Sequence, residues 1–288
     1  MKTAEKRTGV TLYEDRLEMK NIKIIVATHK KYKMPNDPMY LPLHVGAEGK
    51  TTPDGSPLNL GYQKDNTGDN ISTRNPSFCE LTGLYWAWKN LDVDYIGLVH
   101  YRRHFGIRRK DPMAGVLSSA QLVPLLGKYK VFVPKKRHYY IETLYSHYAH
   151  THYASQLDCT RKIIAEKYPT YLPSFDNVVH KTCGYMFNMM IMERTELNRY
   201  CTWLFDILFE LERQIQPTEL SAFQGRFYGR ISEIIFNVWL DEQLESGAIS
   251  SAEIKELPYF HVEKVNWAQK GTAFLKAKLF HKKYEGSF

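Results

Sequence analysis

The sequence predicts an α/β fold in which a mixed central sheet is flanked by helices. Three short, mainly apolar runs, at residues 22–27, 95–99 and 129–133, are typical of buried strands. Helical periodicity separates or follows them, most clearly where Phe78, Leu81 and Leu84 recur at three- and four-residue steps. Alternation of strand and helix signals is the pattern of an α/β domain.

The length of 288 residues allows a substantial core, and 43% hydrophobic with 24% charged residues is ordinary for a globular protein. We predict a flexible leader over residues 1–20, a single domain over residues 21–265 and a basic amphipathic C-terminal helix over residues 266–288. The leader is charged and lacks an apolar core, and no run reaches 18 apolar residues, so neither a secretory signal nor a membrane span is predicted.

The four cysteines form no CxxC pair, which favours a reduced, cytoplasmic protein. The formal net charge of +8 favours anionic partners, phosphate-bearing ligands and acidic membrane surfaces. The C-terminal helix has the pattern of a segment that binds peripherally to the inner face of the plasma membrane, and packing against the domain is the equal alternative.

The first strand is followed by Thr28, His29 and Lys30, where α/β folds often contact a nucleotide. Residues 31–74 show little periodicity and many prolines and glycines, so they form either a solvated loop or a loop that closes over a ligand. In the second case Asp65 or Asp69, with Asn70 beside them, would bind sugar or ribose hydroxyls.

Residues 75–105 form the centre of the predicted domain. A helix is expected from Asn75 or Ser77 as its cap, with Glu80 completing a capping box, and it leads into the strand at 95–99. Polar residues then follow at once: His100, Tyr101, Arg102 and Arg103. Ligands of open α/β sheets bind beyond the carboxyl ends of strands, so these residues predict an anion site.

Basic residues follow all three predicted strands, as His29-Lys30, Arg102-Arg103 and Lys135-Lys136-Arg137. If these ends share one edge of the sheet, they concentrate positive charge suited to phosphates.

The second half supplies further elements. We predict a short helix at 118–126, helices at 139–167, 195–214 and 226–244, and a methionine-rich strand at 183–192 whose one polar residue is Asn188. His147, His150 and His152 fall in the second of these helices, where an aromatic helix near the acceptor, a plain structural helix and a metal site are the alternatives. The last helix carries Arg230 and Glu233 in apolar surroundings.

These features suit transfer from a nucleotide-activated donor, whose diphosphate leaving group needs positive charge. The Asp92-Val93-Asp94 string precedes its strand, so we interpret it as a turn rather than a metal site. Arginines can neutralise a diphosphate without metal, so no cofactor is expected and a divalent Mn or Mg ion is not required. Glu233 is the candidate base that deprotonates the acceptor hydroxyl.

Long motifs carry a resemblance to a known family. The segments IIVATHK, CELTGLYWAWKN, DYIGLVHYRRHF, PKKRHYYIETLYSHYAHTHY and FQGRFYGRISE resemble the bacterial capsular and exopolysaccharide glycosyltransferase family formerly known only as a domain of unknown function. The resemblance extends from about residue 23 to 278. It implies a GT-A-like (Rossmann-like) nucleotide-diphospho-sugar transferase fold and a role in building capsule, exopolysaccharide or O-antigen.

The resemblance also implies a hexosyltransferase that uses a UDP-sugar, with galactofuranose transferred by some members, and a glycan or lipid-linked glycan acceptor. Thr28, His29 and Lys30 would meet the nucleotide, and Tyr101, Arg102 and Arg103 the diphosphate. The full set of expected nucleotide-sugar ligands is Thr28, His29, Lys30, Asp65, Asp69, Asn70, His100, Tyr101, Arg102, Arg103, Asn188 and Arg230, with no metal ligand.

Two other functions are weighed against this enzyme. A non-catalytic sugar- or nucleotide-binding scaffold of a polysaccharide assembly complex would need the same binding residues without turnover. Nucleic acid is not an expected partner, because the basic residues cluster at strand ends and form no continuous stripe.

Overall fold

The computed structural model describes residues 20–215 and 220–263. The predicted leader, up to residue 19, and the predicted C-terminal helix lie outside the described residues. The strands in the described ranges are β1 (Ile22–Thr28), β2 (Tyr40–His44), β3 (Gln63–Lys64), β4 (Tyr95–His100), β5 (Arg103–Phe105), β6 (Val131–Pro134), β7 (Arg137–His138), β8 (Cys183–Gly184), β9 (Met190–Glu193), β10 (Ile254–Leu257) and β11 (Tyr259–His261). The α-helices there are α1 (Asn75–Phe78), α2 (Leu81–Asn90), α3 (Ser119–Leu122), α4 (Leu144–Thr151), α5 (Ala154–Lys167), α6 (Leu172–Val179), α7 (Arg194–Gln214) and α8 (Phe227–Glu245).

The main sheet has the strand order β10-β6-β9-β4-β1-β2-β3. β1 is parallel to β2 and β4, and β2 is parallel to β3. β9 is antiparallel to both β4 and β6, so β6 runs in the same direction as β4. The carboxyl ends of β1, β4 and β6 therefore lie at one edge of the sheet. The basic residues that follow these three strands thus meet the condition for concentrating positive charge at that edge.

The central strands are buried on both faces, as predicted. Ile25 and Ala27 of β1 pack into the larger apolar cluster with α2, α7 and α8, whereas Ile24 and Val26 face the smaller cluster on the other side. This alternation follows from the two-residue period of side chains along a strand. A Cβ on Gly97 of β4 would lie 2.8 Å from Ile191 Cγ1, so glycine allows β4 and β9 to pack closely.

The structure corrects three predicted elements. The helix expected from Ser77 breaks into α1 and α2 at Cys79, whose φ is 54°. The expected capping box does not form, because Ser77 Oγ donates to the Arg74 carbonyl and the Glu80 carboxylate accepts from Asn188.

The other two corrections also come from local backbone geometry. The strand expected at 183–192 divides into β8 and β9, because Phe187 and Asn188 between them have positive φ of 79° and 51°. The helix expected at 139–167 is α4 and α5, separated by extended backbone at His152. The helices expected at 195–214 and 226–244 are confirmed as α7 and α8. None of the helices in the described ranges combines the length and apolarity needed to cross a bilayer.

Candidate active site

A pocket of about 420 Å³ opens at the sheet edge where β1, β2 and β4 end. The pocket is lined by these strand ends, by the loop after β2 and by the corner between α1 and α2. Arg226, the residue before α8, completes the lining. The lining residues are Ala27, Thr28, His29, His44, Val45, Lys50, Leu58, Asn75, Pro76, Cys79, Glu80, His100 and Arg226. Of the predicted site residues, Thr28, His29 and His100 therefore lie together at the pocket.

Three histidines reach the pocket from three adjacent parallel strands. Burial lowers the pKa of His29, and the positive charges of Lys30 and Arg102 lower it further. Burial, with Arg103 and Arg102, lowers the pKa of His100 to about 3. Burial also lowers the pKa of His44, against the opposing charge of Asp65. At neutral pH these imidazoles are uncharged, so each offers one hydrogen-bond donor and one acceptor.

Among the three histidines of the pocket, His44 has a buried ring nitrogen without a partner in the described residues. Its side chain is 1% exposed, and its Nδ1 atom makes no hydrogen bond within the described residues. A buried polar atom without a partner is costly.

The corner between α1 and α2 forms another wall. The backbone of Cys79 has φ 54° and ψ −132°, which non-glycine residues rarely adopt. The Asn75 amide holds this corner by donating to the Cys79 carbonyl across 2.7 Å and to Thr82 Oγ1 across 3.1 Å. Arg226 Nε lies 3.1 Å from Cys79 Sγ, and burial raises the pKa of this thiol to about 11. The corner therefore presents Glu80 and Arg226 to the pocket, with the thiol protonated.

Asn188 joins this corner to α8. Its amide donates to Glu80 Oε1 across 2.7 Å and to the Gly229 carbonyl across 2.9 Å, and its oxygen accepts from Ser232 Oγ at 2.8 Å. The positive φ of Asn188 is a conformation that asparagine tolerates better than most residues. Asn188 therefore has the hydrogen-bond partners expected of a buried polar residue, and its amide holds the Glu80 carboxylate in place. Asn188 does not itself line the pocket.

Glu233 lies one helical turn beyond this contact, on α8. It is 8% exposed, and Arg230 Nη1 lies 3.7 Å from its Oε1. Burial raises the pKa of Glu233; Arg230 opposes that rise, and the charge of Glu80 adds to it. Neither Glu233 nor Arg230 lines the pocket. Glu233 follows Ser232, which is linked through Asn188 to Glu80 in the pocket wall.

The three residues after β4 lie around the pocket rather than in its lining. Tyr101 is 1% exposed and packs against the rings of His29 and His100 at 5.4 and 4.4 Å. Arg102 pairs with Glu263 at 3.2 Å, and Arg103 lies 3.8 Å from the centre of the Phe187 ring. Lys30, also expected at the nucleotide, extends over the Tyr101 ring. The guanidinium that does reach the pocket is Arg226.

Asp65 has a structural role, which corrects its assignment to a ligand. The residue is fully buried, and its carboxylate accepts from the backbone of Gly46 and Ala47 and from the hydroxyls of Ser72 and Thr82. All of these donors belong to the protein. Asp65 therefore ties the loop after β2 to α2.

Asp69 and Asn70 also lie away from the pocket. Asp69 Oδ1 accepts from Tyr85 on α2, and its backbone binds Asn90 at the end of that helix. Asn70 closes the turn by binding the Gly68 carbonyl and the Ser72 amide. Because α2 leads back to the start of β4, Asp69 lies toward the edge opposite the strand carboxyl ends. Neither Asp69 nor Asn70 lines the pocket.

The residues after β4 do not fit a divalent cation, since two of the three are cationic. In the described ranges, no group of three or more histidine, cysteine, aspartate or glutamate residues has the arrangement of a metal site. Glu142 instead receives hydrogen bonds from His147 and His150 at 2.8 and 2.7 Å. Asp92 and Asp94 lie in the connection from α2 to β4, where Asp94 binds Asn21.

Several pocket residues were missing from the predicted set: His44, Lys50, Glu80 and Arg226. His44 follows a strand in the same way as His29 and His100, but β2 contains Pro42 and was not recognised. Arg226 lies in the FQGRFYGRISE motif, which carries part of the family resemblance, and Lys50 lies in the loop after β2. Glu80 was interpreted as a helix cap.

Comparisons with known proteins identify the family and the fold. Residues 23–244 match the family model described as "Domain of unknown function (DUF4422)". A solved structure titled "WbbM bifunctional glycosytransferase apo structure" superposes with a TM-score of 0.74 at 28% identity, over 84% of this chain and 45% of that one. The chain thus spans less than half the length of that relative. No curated protein sequence matches significantly. The likeness confirms the GT-A-like fold and the resemblance to a glycosyltransferase family.

Proposed function

This chain belongs to the family described as "Domain of unknown function (DUF4422)", and we propose that it is a glycosyltransferase that moves a sugar from a UDP-sugar to a glycan acceptor. One observation carries the proposal. A pocket bordered by Arg226, Lys50 and three uncharged histidines lies at the carboxyl ends of parallel strands, in a chain whose fold is that of a solved glycosyltransferase.

The pocket chemistry suits a nucleoside diphosphate. Arg226 and Lys50 would neutralise the phosphates. The neutral imidazoles would contribute hydrogen bonds to the ligand and no charge. The apolar side chains of Val45, Leu58 and Pro76 offer surface for a base or sugar ring. Arg102 and Arg103 would add positive potential from just outside the pocket.

In the reaction, the acceptor hydroxyl oxygen bonds to the anomeric carbon while the bond from that carbon to the diphosphate oxygen breaks. The pair of electrons leaves with UDP, and the hydroxyl proton goes to a carboxylate. We propose Glu233 as this base and inversion at the anomeric carbon as the outcome. A buried carboxylate with a raised pKa is suited to accept a proton. Glu80, which lines the pocket itself, is the second candidate.

The proposed mechanism needs no metal ion, since cationic side chains take its place at the diphosphate. Galactofuranose is the first sugar to test, on the strength of the family resemblance. The acceptor would be a growing capsule, exopolysaccharide or O-antigen glycan, free or lipid-linked. The proposed location is the cytoplasm, peripheral to the inner face of the plasma membrane.

Calorimetric titration tests the donor site. UDP and UDP-, GDP- and dTDP-sugars are titrated into the protein with and without EDTA, and selective binding of UDP compounds that survives EDTA is expected. Loss of binding in EDTA would contradict the metal-free site, and absence of any nucleotide binding would favour the scaffold. Product formation from UDP-galactofuranose then separates an enzyme from a scaffold that only binds.

A further inference from the structure

Three of the most exposed large hydrophobic side chains lie beside runs of basic residues. Ile107 is 69% exposed, Tyr140 84% and Ile141 72%. Ile107 precedes Arg108, Arg109 and Lys110, all exposed. Tyr140 and Ile141 follow the exposed Lys135 and Lys136 after β6. The apolar and basic residues are thus interleaved in two separate segments.

One turn brings the two segments side by side. The amide of Lys135 donates to the Leu257 carbonyl across 3.0 Å, and that of Gly106 donates to the adjacent Pro258 carbonyl across 2.8 Å. Phe187 lies between them as well, with the guanidinium of Arg103 3.8 Å and that of Arg137 5.9 Å from its ring centre. The two segments therefore start side by side, and residues 107–110 and 135–141 are together called here the basic–apolar surface.

The apolar tip at Tyr140 and Ile141 is held outward by the fold. Tyr139 donates its amide to the Thr182 carbonyl across 2.8 Å, and the Ile141 amide returns to the Tyr139 carbonyl across 2.7 Å. Tyr140 has φ 60°, a strained conformation for a residue with a side chain. The next residue, Glu142, is 3% exposed and anchored by His147 and His150. The tip between these two anchors therefore exposes its apolar side chains.

The nearby acidic groups do not cancel the positive charge. Asp111 is paired with Lys33 at 3.2 Å. Glu256 accepts from the neutral Tyr185 hydroxyl at 2.9 Å and keeps its negative charge, which the cationic side chains of the two segments outnumber. Arg109, Lys110, Lys135 and Lys136 have no ion pair within the described residues. The basic–apolar surface therefore combines a net positive field with protruding apolar groups.

We propose that the basic–apolar surface docks on an anionic phospholipid bilayer. Lysine and arginine would contact the lipid phosphates, while Ile107, Tyr140 and Ile141 enter the boundary between headgroups and acyl chains. A soluble polyanion would use the charges but gains nothing from exposed isoleucines, so the apolar tips favour a bilayer. The proposed contact turns the carboxyl ends of β4 and β6 toward the membrane.

Vesicle flotation of the full chain tests the proposal. Vesicles of phosphatidylcholine alone are compared with vesicles that contain phosphatidylglycerol. Binding to the anionic vesicles is expected, and it falls at least about tenfold for Lys135→Glu/Lys136→Glu and weakens with added salt. Ile107→Ser and Tyr140→Ser/Ile141→Ser are expected to weaken it severalfold at unchanged charge.

Matched variants keep the C-terminal residues intact and alter other surfaces. Lys128→Glu/Lys162→Glu repeats the charge change at two exposed sites elsewhere, and Leu244→Ser removes another exposed apolar side chain. Both should bind as the unchanged protein does. Wild-type binding by all basic–apolar variants would overturn the proposal. A second outcome would also overturn the proposal. If only the charge reversals weaken vesicle binding, and the unchanged protein binds soluble dextran sulfate as well as it binds anionic vesicles, the surface recognises polyanions in general. Neither readout depends on transferase activity.

Discussion

The Asn188 amide donates to the Glu80 carboxylate across 2.7 Å, from a backbone conformation with φ 51°. This bond links the start of β9, in the middle of the sheet, to the helix corner that borders the pocket. Through Gly229 and Ser232 the same side chain holds α8, where Glu233 lies. Two carboxylates that are candidates for the base are therefore positioned by one buried amide.

Asn188→Ala should destabilise the protein by about 2 kcal/mol, because the Ser232 hydroxyl and Glu80 lose a buried partner. The variant should also lower turnover more than it weakens UDP binding, since Glu80 would no longer be fixed. Chemical unfolding and calorimetry measure the two effects. The control is Asn177→Ala, which removes one exposed bond to Asp241. Equal stability of both variants would contradict the role given to Asn188.

Glu233→Gln should reduce turnover about 10²–10⁴-fold if Glu233 is the base, with little change in UDP affinity. Burial raises the pKa of Glu233, and a base must be ionised to act. The acid limb of the pH–rate profile should therefore lie above the range of an ordinary glutamate. Glu245→Gln, exposed on the same helix, is the matched control. If Glu80→Gln abolishes turnover and Glu233→Gln does not, the base is Glu80.

Glu233 should also affect stability with a definite sign. Because burial raises its folded-state pKa, the folded protein binds the proton more tightly than the unfolded chain. The stabilisation by that proton is complete below the unfolded pKa and is lost as pH rises through the folded one. Glu233→Gln, neutral at every pH, should melt at a higher temperature than the unchanged protein at pH 8. The difference in melting temperature should shrink toward pH 4. A stabilisation by Glu233→Gln that grows as the pH falls would contradict the raised pKa of Glu233.

The strands β1, β4 and β6 were predictable because their side chains are buried on both faces and basic residues follow them. β2 was not recognised, since Pro42 cannot donate to the ladder and normally argues against a strand within a sheet. Its His44 was lost from the predicted site with it. The break at Cys79 has no local signal either, because a positive φ at cysteine depends on tertiary contacts such as those of Asn75.

Side-chain direction was the part of the site that sequence order could not supply. Tyr101, Arg102 and Arg103 follow β4 as expected, but a short reversal into β5 sends one into the core and the others to Glu263 and Phe187. Arg226 comes from more than 120 residues further along the chain. Asp65 was assigned to a ligand since its polarity is visible in the sequence and its four protein donors are not.

Asp65→Ala should destabilise the protein by about 2–3 kcal/mol, because two backbone amides and two hydroxyls lose a buried acceptor. Urea unfolding measures this cost. Asp92→Ala, an exposed aspartate in the turn before β4, should leave stability unchanged within about 0.5 kcal/mol. An Asp65→Ala protein of full stability with weakened sugar binding would restore Asp65 as a ligand.

Arg226→Ala should weaken UDP binding about 10–100-fold, the cost of losing charge-assisted hydrogen bonds to a diphosphate. Arg102→Ala should cost less, because Arg102 lies outside the pocket lining and is paired with Glu263. Calorimetry in EDTA separates the two, and Arg161→Ala, which breaks the surface pair with Asp176, is the control. Since Arg226 contacts Cys79 at the strained corner, a melting curve must accompany the titration. If Arg226→Ala binds UDP normally and Arg102→Ala does not, the diphosphate lies beside β4 and outside this pocket.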